Sequence, residues 1–240
     1  MIPIIHLLAF CGGFIIMSFE LLGGRILAPY FGSGVYVWGS IITIFMLSLA
    51  IGYLLGGRLS VKNPSPRKFA GIFAISAIFL YPMILYAQPV MEFIFLQIED
   101  PRYGSLLASI FLYFIPTSIL GMISPYSVRL MVDSQEHSGH MAGLLFFVST
   151  IGSAGGTLAT SFYFVLWFDV NQILWGAVAV LLLAGSVILL INYLFPALAI
   201  IIFWVYKAAT PGKIATGLII IDDKIYITYK TSFKVYHYYN

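Results

Sequence analysis

Long apolar runs, separated by short polar punctuation, dominate the first two hundred residues. The runs fall at Ile2–Leu27, Val35–Leu55, Phe69–Ala87, Leu106–Met122 and Met141–Leu166. A helix needs about 20 such residues to cross a bilayer, so each run predicts a spanning helix. A further run extends from Ile173 to Tyr206. As one straight helix it would rise about 51 Å against a hydrocarbon core of about 30 Å. It must tilt, break or cross twice, and Pro196 is the expected break. The part after it, Pro196–Tyr206, would rise only about 16 Å, too short to span. Six crossings followed by an interfacial segment with Trp204 and Tyr206 is the leading reading, and seven crossings is the alternative. Beyond this the pattern changes to β-rich runs around Asp222, Asp223 and Lys224, which predict a hairpin. The chain therefore divides into a polytopic membrane domain, 1–206, and a β-prone tail, 207–240. A two-stranded hairpin alone is marginal in water, so the tail reads as the edge of something that continues or pairs with another chain.

The polar punctuation predicts orientation, because short cytoplasmic loops carry the excess of Lys and Arg. Arg58, Lys62, Arg67 and Lys68 lie between the second and third helices, and Arg129 follows the fourth. These predict the cytoplasmic side. Glu92, Glu99, Asp100 and Arg102 lie in the expected loop between the third and fourth helices, which then faces outside. Six crossings place both termini in the cytoplasm, with Lys207 and Lys213 in the tail. Tyr30, Tyr36, Trp38 and Trp167 fall near the outer boundary, as an aromatic belt would. The mildly amphipathic segment Gln88–Arg102 is expected to lie on that outer face.

Composition agrees with the pattern. Charged residues make up 9% of the 240, hydrophobic ones 61%, and the mean hydropathy is +0.99. A soluble domain carries roughly 25% charged residues, so this is an integral membrane protein with the lipid bilayer as its first partner. A net charge of +3 with no long basic run gives no argument for nucleic acid. Cys11 is the single cysteine, so an internal disulfide and a cysteine metal cluster are excluded. The start, "MIPIIHLLAFCGGFIIM", has no basic region and no small-residue cleavage site, and reads as a retained helix. His6 has no ligand partner at helical spacing. His137 and His140, with Asp133 and Glu136, read as a solvated loop before a metal site. No catalytic triad, phosphate loop or cofactor motif is present, and neither a metal nor a cofactor is expected.

Small residues predict how the helices pack. Gly52 and Gly56 form one GxxxG step, and Gly152 and Gly156 form another beside Ser149 and Ser153. This spacing lets helix backbones approach closely. Pro116 and Pro125 are expected to interrupt the fourth helix, which would free backbone carbonyls.

The sharpest feature is Glu20. It lies ten residues, about 15 Å of helix, before the boundary residue Tyr30. A charge at such depth costs roughly 2.5–3.5 kcal/mol on insertion scales, so the carboxylate should face the bundle, paired or protonated. It is either a cation or proton site or a structural carboxylate. Gly23 and Gly24, at i+3 and i+4, share its face and would open space or admit another helix. Arg25 is about 140° further round, so it should snorkel outward rather than pair with Glu20. Pro29 is expected to end the helix. Glu20, Gly23, Gly24, Arg25 and Trp38 form the candidate substrate or ion site. Arg58, Arg67, Lys68, Pro125, Arg129, Gly152 and Gly156 are assigned to topology and packing.

The run "ELLGGRILAPYFGSGVYVWGSIITIFMLSLAIGYLLGGRLS", Glu20 to Ser60, resembles the membrane domain of bacterial membrane-bound spermidine synthase-like proteins. "GMISPYSVRL", Gly121 to Leu130, and "GLLFFVSTIGSAGGTLATSF", Gly143 to Phe162, fit the same pattern, and "KVYHYYN" resembles the strand leading into their synthase domain. The resemblance implies an all-α bundle like half of a major facilitator transporter, in the inner membrane, ahead of an aminopropyltransferase-like domain. It implies a small cationic substrate or a synthase-like partner, and a homodimer, since a full facilitator has two such halves. The glycine-rich turn and acidic residues of the synthase are absent from these 240 residues, so no catalytic residue is assigned here. Ser60 stands where the facilitator loop motif has Asp, which removes the basis for a charge relay there. Three functions stay open: a membrane module that binds or moves a small cation or holds a synthase-like partner; the membrane part of a truncated aminopropyltransferase; and a structural anchor or assembly subunit.

Overall fold

The computed structural model describes residues 2–61, 63–132, 138–209, 215–221 and 224–229. Among these residues eight helices occur in order: α1 (Ile2–Phe31), α2 (Val35–Val61), α3 (Pro66–Gln97), α4 (Pro101–Gly121), α5 (Ile123–Met131), α6 (Ser138–Ala159), α7 (Val165–Trp167) and α8 (Val170–Ala209). A π-turn, Thr160–Phe164, joins α6 to α7. Among the described residues six spans are long and apolar enough to cross a membrane, with α4–α5 and α6–α7 each forming one of them. The chain is a multi-pass helical membrane protein.

Helices start where local chemistry satisfies their first N–H groups. Ser65 precedes α3 and its hydroxyl accepts from the Lys68 N–H at 3.3 Å, with Pro66 in the first position. Asp100 does the same for α4, accepting from Arg102 N–H at 2.9 Å ahead of Pro101. Both arrangements use a donor-free proline where the helix needs no donor. Their ends lie further on than the apolar runs predicted. α1 passes Pro29 and stops at Phe31, where Gly32 takes φ +78° and bonds back to the Ala28 carbonyl at 2.9 Å. That backbone conformation is open to glycine and costly for other residues.

Three further expectations change. α3 runs through Pro82 and Pro89 to Gln97, so Gln88–Arg102 is not a separate surface segment. Met91 and Ile94 are buried in the bundle, and Glu92 belongs to the helix rather than to the loop. Pro116 lies inside α4 without breaking it; the step between α4 and α5 falls at Met122, three residues before Pro125. Proline at 125 offers no N–H to the Gly121 carbonyl, so the ladder fails there. Nor does Pro196 break the last helix: α8 continues through it to Ala209. Proline keeps a helical φ and removes one bond, which membrane helices tolerate.

α1 packs closely on α6, and α2 on α4. Each rests on one of the GxxxG steps. A Cβ added at Gly152 would collide with the Phe10 carbonyl oxygen of α1, and one at Gly156 with that of Phe14. Gly13 of α1 meets the Ser149 carbonyl in return, and the Ser18 hydroxyl donates to the Gly156 carbonyl at 3.3 Å. On the other pair, Gly52 rests on the Ser118 carbonyl and Gly56 lies where a Cβ would be 2.7 Å from the Met122 backbone. α8 buries a stripe of Leu174, Val178, Leu181, Gly185 and Ile188, and Gly185 rests on Ala70 and Phe73 of α3. Trp175 meets Tyr81 edge-on at 5.5 Å, while Gly185 meets Ala70, so the two helices run antiparallel.

Aromatic rings fill the centre. Phe19, Phe45 and Tyr113 form a triangle with centroids 5.4 to 5.5 Å apart. Tyr126 of α5 stacks on Phe69 at 5.6 Å. Its hydroxyl accepts from Ser65 N–H at 3.0 Å and lies 3.2 Å from the Ser65 carbonyl as a donor. This ties α5 to the turn before α3, and places Arg58, Arg67, Lys68 and Arg129 at one end of the bundle. Large apolar side chains such as Met46, Phe111, Phe147 and Leu183 remain exposed on the outside. Such a surface is a liability in water and suits lipid.

Contacts divide the chain into two compact units, Met1–Ile188 and Leu189–Asn240. In the second, β1 (Ala215–Ile221) pairs antiparallel with β2 (Lys224–Tyr229), Ile219 facing Tyr226, with an irregularity between Ala215 and Gly217. Lys62, Asp133, Glu136, His137, Lys213, Asp222, Asp223 and the "KVYHYYN" strand lie outside the described residues.

The packing makes a direct prediction. Gly152→Leu drives a side chain into the α1 backbone and should cost at least the 1–3 kcal/mol typical of overpacking. Gly143→Leu, where a Cβ meets nothing within 4 Å, should stay within about 0.5 kcal/mol of the parent. Unfolding in mixed micelles compares the two.

Candidate intramembrane site

Glu20 lies eleven residues before the end of α1, about 16 Å of helix, which is mid-bilayer for a core of about 30 Å. Its side chain is half-buried, and among the described residues its carboxylate has no hydrogen-bond or ion-pair partner. Its own helix face carries Gly13 seven residues before it and Gly23 and Gly24 after it. Each of these glycines receives a different neighbour. Gly13 receives α6 at Ser149 and Ser153, with a Cβ position 2.9 Å from the Ser153 hydroxyl. Gly23 receives the Tyr113 ring of α4, at 3.3 Å. Gly24 receives the Trp38 indole of α2, at 2.6 Å. The glycines thus admit other helices to the carboxylate's face, rather than opening an empty space beside it.

The predicted set is partly assembled. Glu20, Gly23 and Gly24 share one face of α1, and Trp38 of α2 packs onto that face at Gly24. Arg25 does not join them. It is exposed, and its Nη1 donates to the Val165 carbonyl at 3.0 Å. Val165 begins the three-residue α7, whose last carbonyls have no helical partner. A cation at a helix C-terminus is also favoured by the helix dipole. Arg25 therefore caps the fifth span instead of simply snorkelling to the headgroups.

Sequence reasoning missed Tyr113. It is fully buried, and its hydroxyl donates to the Gly23 carbonyl at 3.2 Å, three residues from Glu20. A tyrosine within an apolar span needs a partner for its hydroxyl; that was the available signal. Ser149 and Ser153, packing residues by their spacing beside Gly152 and Gly156, also border Glu20's face through Gly13. Among the described residues, two buried hydroxyls, Thr117 and Thr160, have no partner.

A cavity of about 490 Å³ lies on the other side of α1. It is lined by Cys11, Phe14 and Ser18 of α1, Phe164 of the π-turn, and Gln172 and Gly176 of α8, among others. Ser18 is about 160° from Glu20 around the helix, so the carboxylate does not face this space. Among the described residues no three His, Cys, Asp or Glu side chains cluster as metal ligands would.

Arg58, Arg67, Lys68 and Arg129 are exposed at one end of the bundle, and Gly152 and Gly156 bury against α1. Pro125 packs near Gly56, 2.9 Å from its would-be Cβ. Ser60 is buried and its hydroxyl donates to the Gly57 carbonyl at 2.7 Å.

Comparison with protein-family models, with curated proteins and with solved structures gives no match for this chain.

Tyr113 offers a clean separation of ring from hydroxyl. Tyr113→Phe should cost about 0.6 kcal/mol, the average for an interhelical hydrogen bond in lipid. Tyr113→Ala, which also empties a fully buried site, should cost about 3–5 kcal/mol. Micelle unfolding of the two variants measures both.

Proposed function

We propose that this chain is the membrane module of a spermidine synthase-like system and binds or moves a small organic cation, with Glu20 as the counter-charge. One observation carries the reading. A carboxylate stands at mid-membrane depth, half-buried, with no partner among the described residues. A buried charge is expensive unless paired, and a cationic substrate or a proton supplies what the protein does not.

The helix pairing supports a half-facilitator arrangement. The first span packs on the fifth and the second on the fourth. Two three-helix repeats related by a two-fold axis in the membrane plane would exchange these pairs with each other. The clustered Arg58, Arg67, Lys68 and Arg129 favour that end as cytoplasmic in an inner membrane, with both termini on the same side. A second copy of the chain would supply the other half of a transporter.

The β1–β2 hairpin favours a second reading. Two strands are marginal alone, and in a synthase-like protein they would form the edge of an aminopropyltransferase-like domain, with these helices as its anchor. In that case Glu20 is structural.

Glu20→Gln distinguishes the two. In reconstituted vesicles the substitution should lower spermidine binding or uptake at least tenfold, while the helical content and melting temperature stay near those of the parent. Unchanged uptake by a folded Glu20→Gln protein would remove Glu20 as the site.

A further inference from the structure

We propose that the cavity between α1, the π-turn and α8 is a site for one anionic phospholipid, with an acyl chain inside and the phosphate on Arg25. The inference does not depend on Glu20, which faces the other side of α1. Cys11, Phe14, Ser18 and Arg25 follow one another at steps of three, four and seven residues, so they form a single stripe along α1. The first three line the cavity. Arg25 stands two turns, about 10 Å, beyond Ser18 toward the helix end at Phe31.

The opposite wall follows the same axis. Phe168, Gln172, Gly176 and Val180 line it over twelve residues, about 18 Å. The space is thus elongated parallel to the helices, as a lipid tail is, and its length matches about half of the hydrocarbon core. Its volume of about 490 Å³ falls within the range of ligand pockets, about 300–1,000 Å³. Its lining is apolar apart from Ser18, Gln172 and the Cys11 thiol.

Charge decides the headgroup. Arg25 is exposed, and its hydrogen bond to the Val165 carbonyl holds it beside Phe164, which lines the cavity. A guanidinium has five N–H donors in a planar fork. The bond to Val165 uses one of them, and among the described residues the others have no partner. Planar recognition of phosphate is what such a fork does best. Asp169, exposed at the turn into α8, is the acidic group on this rim; its backbone N–H donates to Gln172 Oε1 at 3.1 Å. The Gln172 amide nitrogen remains a donor for an ester carbonyl.

Native mass spectrometry of the detergent-purified protein, offered phosphatidylglycerol or phosphatidylcholine with matched chains, tests the proposal. The parent should retain one phosphatidylglycerol about tenfold more than phosphatidylcholine, the effect of a charge-assisted bond. Arg25→Gln should remove the preference. Gly176→Phe, which projects into open space at the cavity wall, should remove retention of both lipids. Equal retention of the two lipids by the parent overturns the proposal, as does a preference that survives Arg25→Gln or retention that survives Gly176→Phe. Should Arg25→Gln fail to fold, the parent's melting temperature decides: a larger rise with phosphatidylglycerol supports the site, and equal rises refute it.

Discussion

In a bilayer, the lipid is as apolar as the helices, so burying hydrocarbon does not drive helices together. This bundle depends instead on close backbone approach at glycines. Gly152 and Gly156 rest on the carbonyls of Phe10 and Phe14, while Gly52 and Gly56 rest on the backbone of Ser118 and Met122. At that separation dispersion contacts are dense, and no side chain larger than hydrogen fits. The remaining packing follows from these two joints. With α1 seated on α6 and α2 on α4, Phe19, Phe45 and Tyr113 meet at the centre, and Tyr126 reaches Ser65 to close one end.

The α1–α6 joint also sets the direction of every other α1 side chain. One face carries Glu20 between small residues that admit α6, Tyr113 and Trp38. The other carries Cys11, Phe14, Ser18 and Arg25 along a cavity. The two charges of this helix are therefore given separate surroundings. Glu20 stands at mid-membrane depth without a partner among the described residues, and Arg25 is held by the end of the fifth span. The π-turn contributes here: its wide ring, closed by Val165 N–H on the Thr160 carbonyl, precedes the short α7 whose carbonyl Arg25 caps. Such turns occur frequently at functional sites.

Much of the architecture was legible in the sequence, because the constraint behind it is one-dimensional. Lipid forces long apolar runs, so the six spans and their order could be counted. Glu20 stood out for the same reason, as a carboxylate within such a run. Helix ends were less legible. Pro29, Pro82, Pro89, Pro116 and Pro196 all lie inside helices, because a membrane helix gives up one bond without ending. Glycine spacing showed that close packing would occur but not which helix would be the partner. Arg25 and Val165 are 140 residues apart in sequence, and Tyr113 and Gly23 are 90 apart. Nothing local to α1 identifies either contact. The cavity is less legible still, since three separate segments enclose it.

The central functional claim is that the Glu20 carboxylate meets a cation within the membrane. Infrared difference spectroscopy of the carboxyl stretch tests it most directly, on protein in lipid with and without spermidine. The account predicts a spermidine-induced carboxyl band that is present in the parent and missing in Glu20→Gln. A difference spectrum identical in the two proteins would contradict it and leave Glu20 as a structural residue.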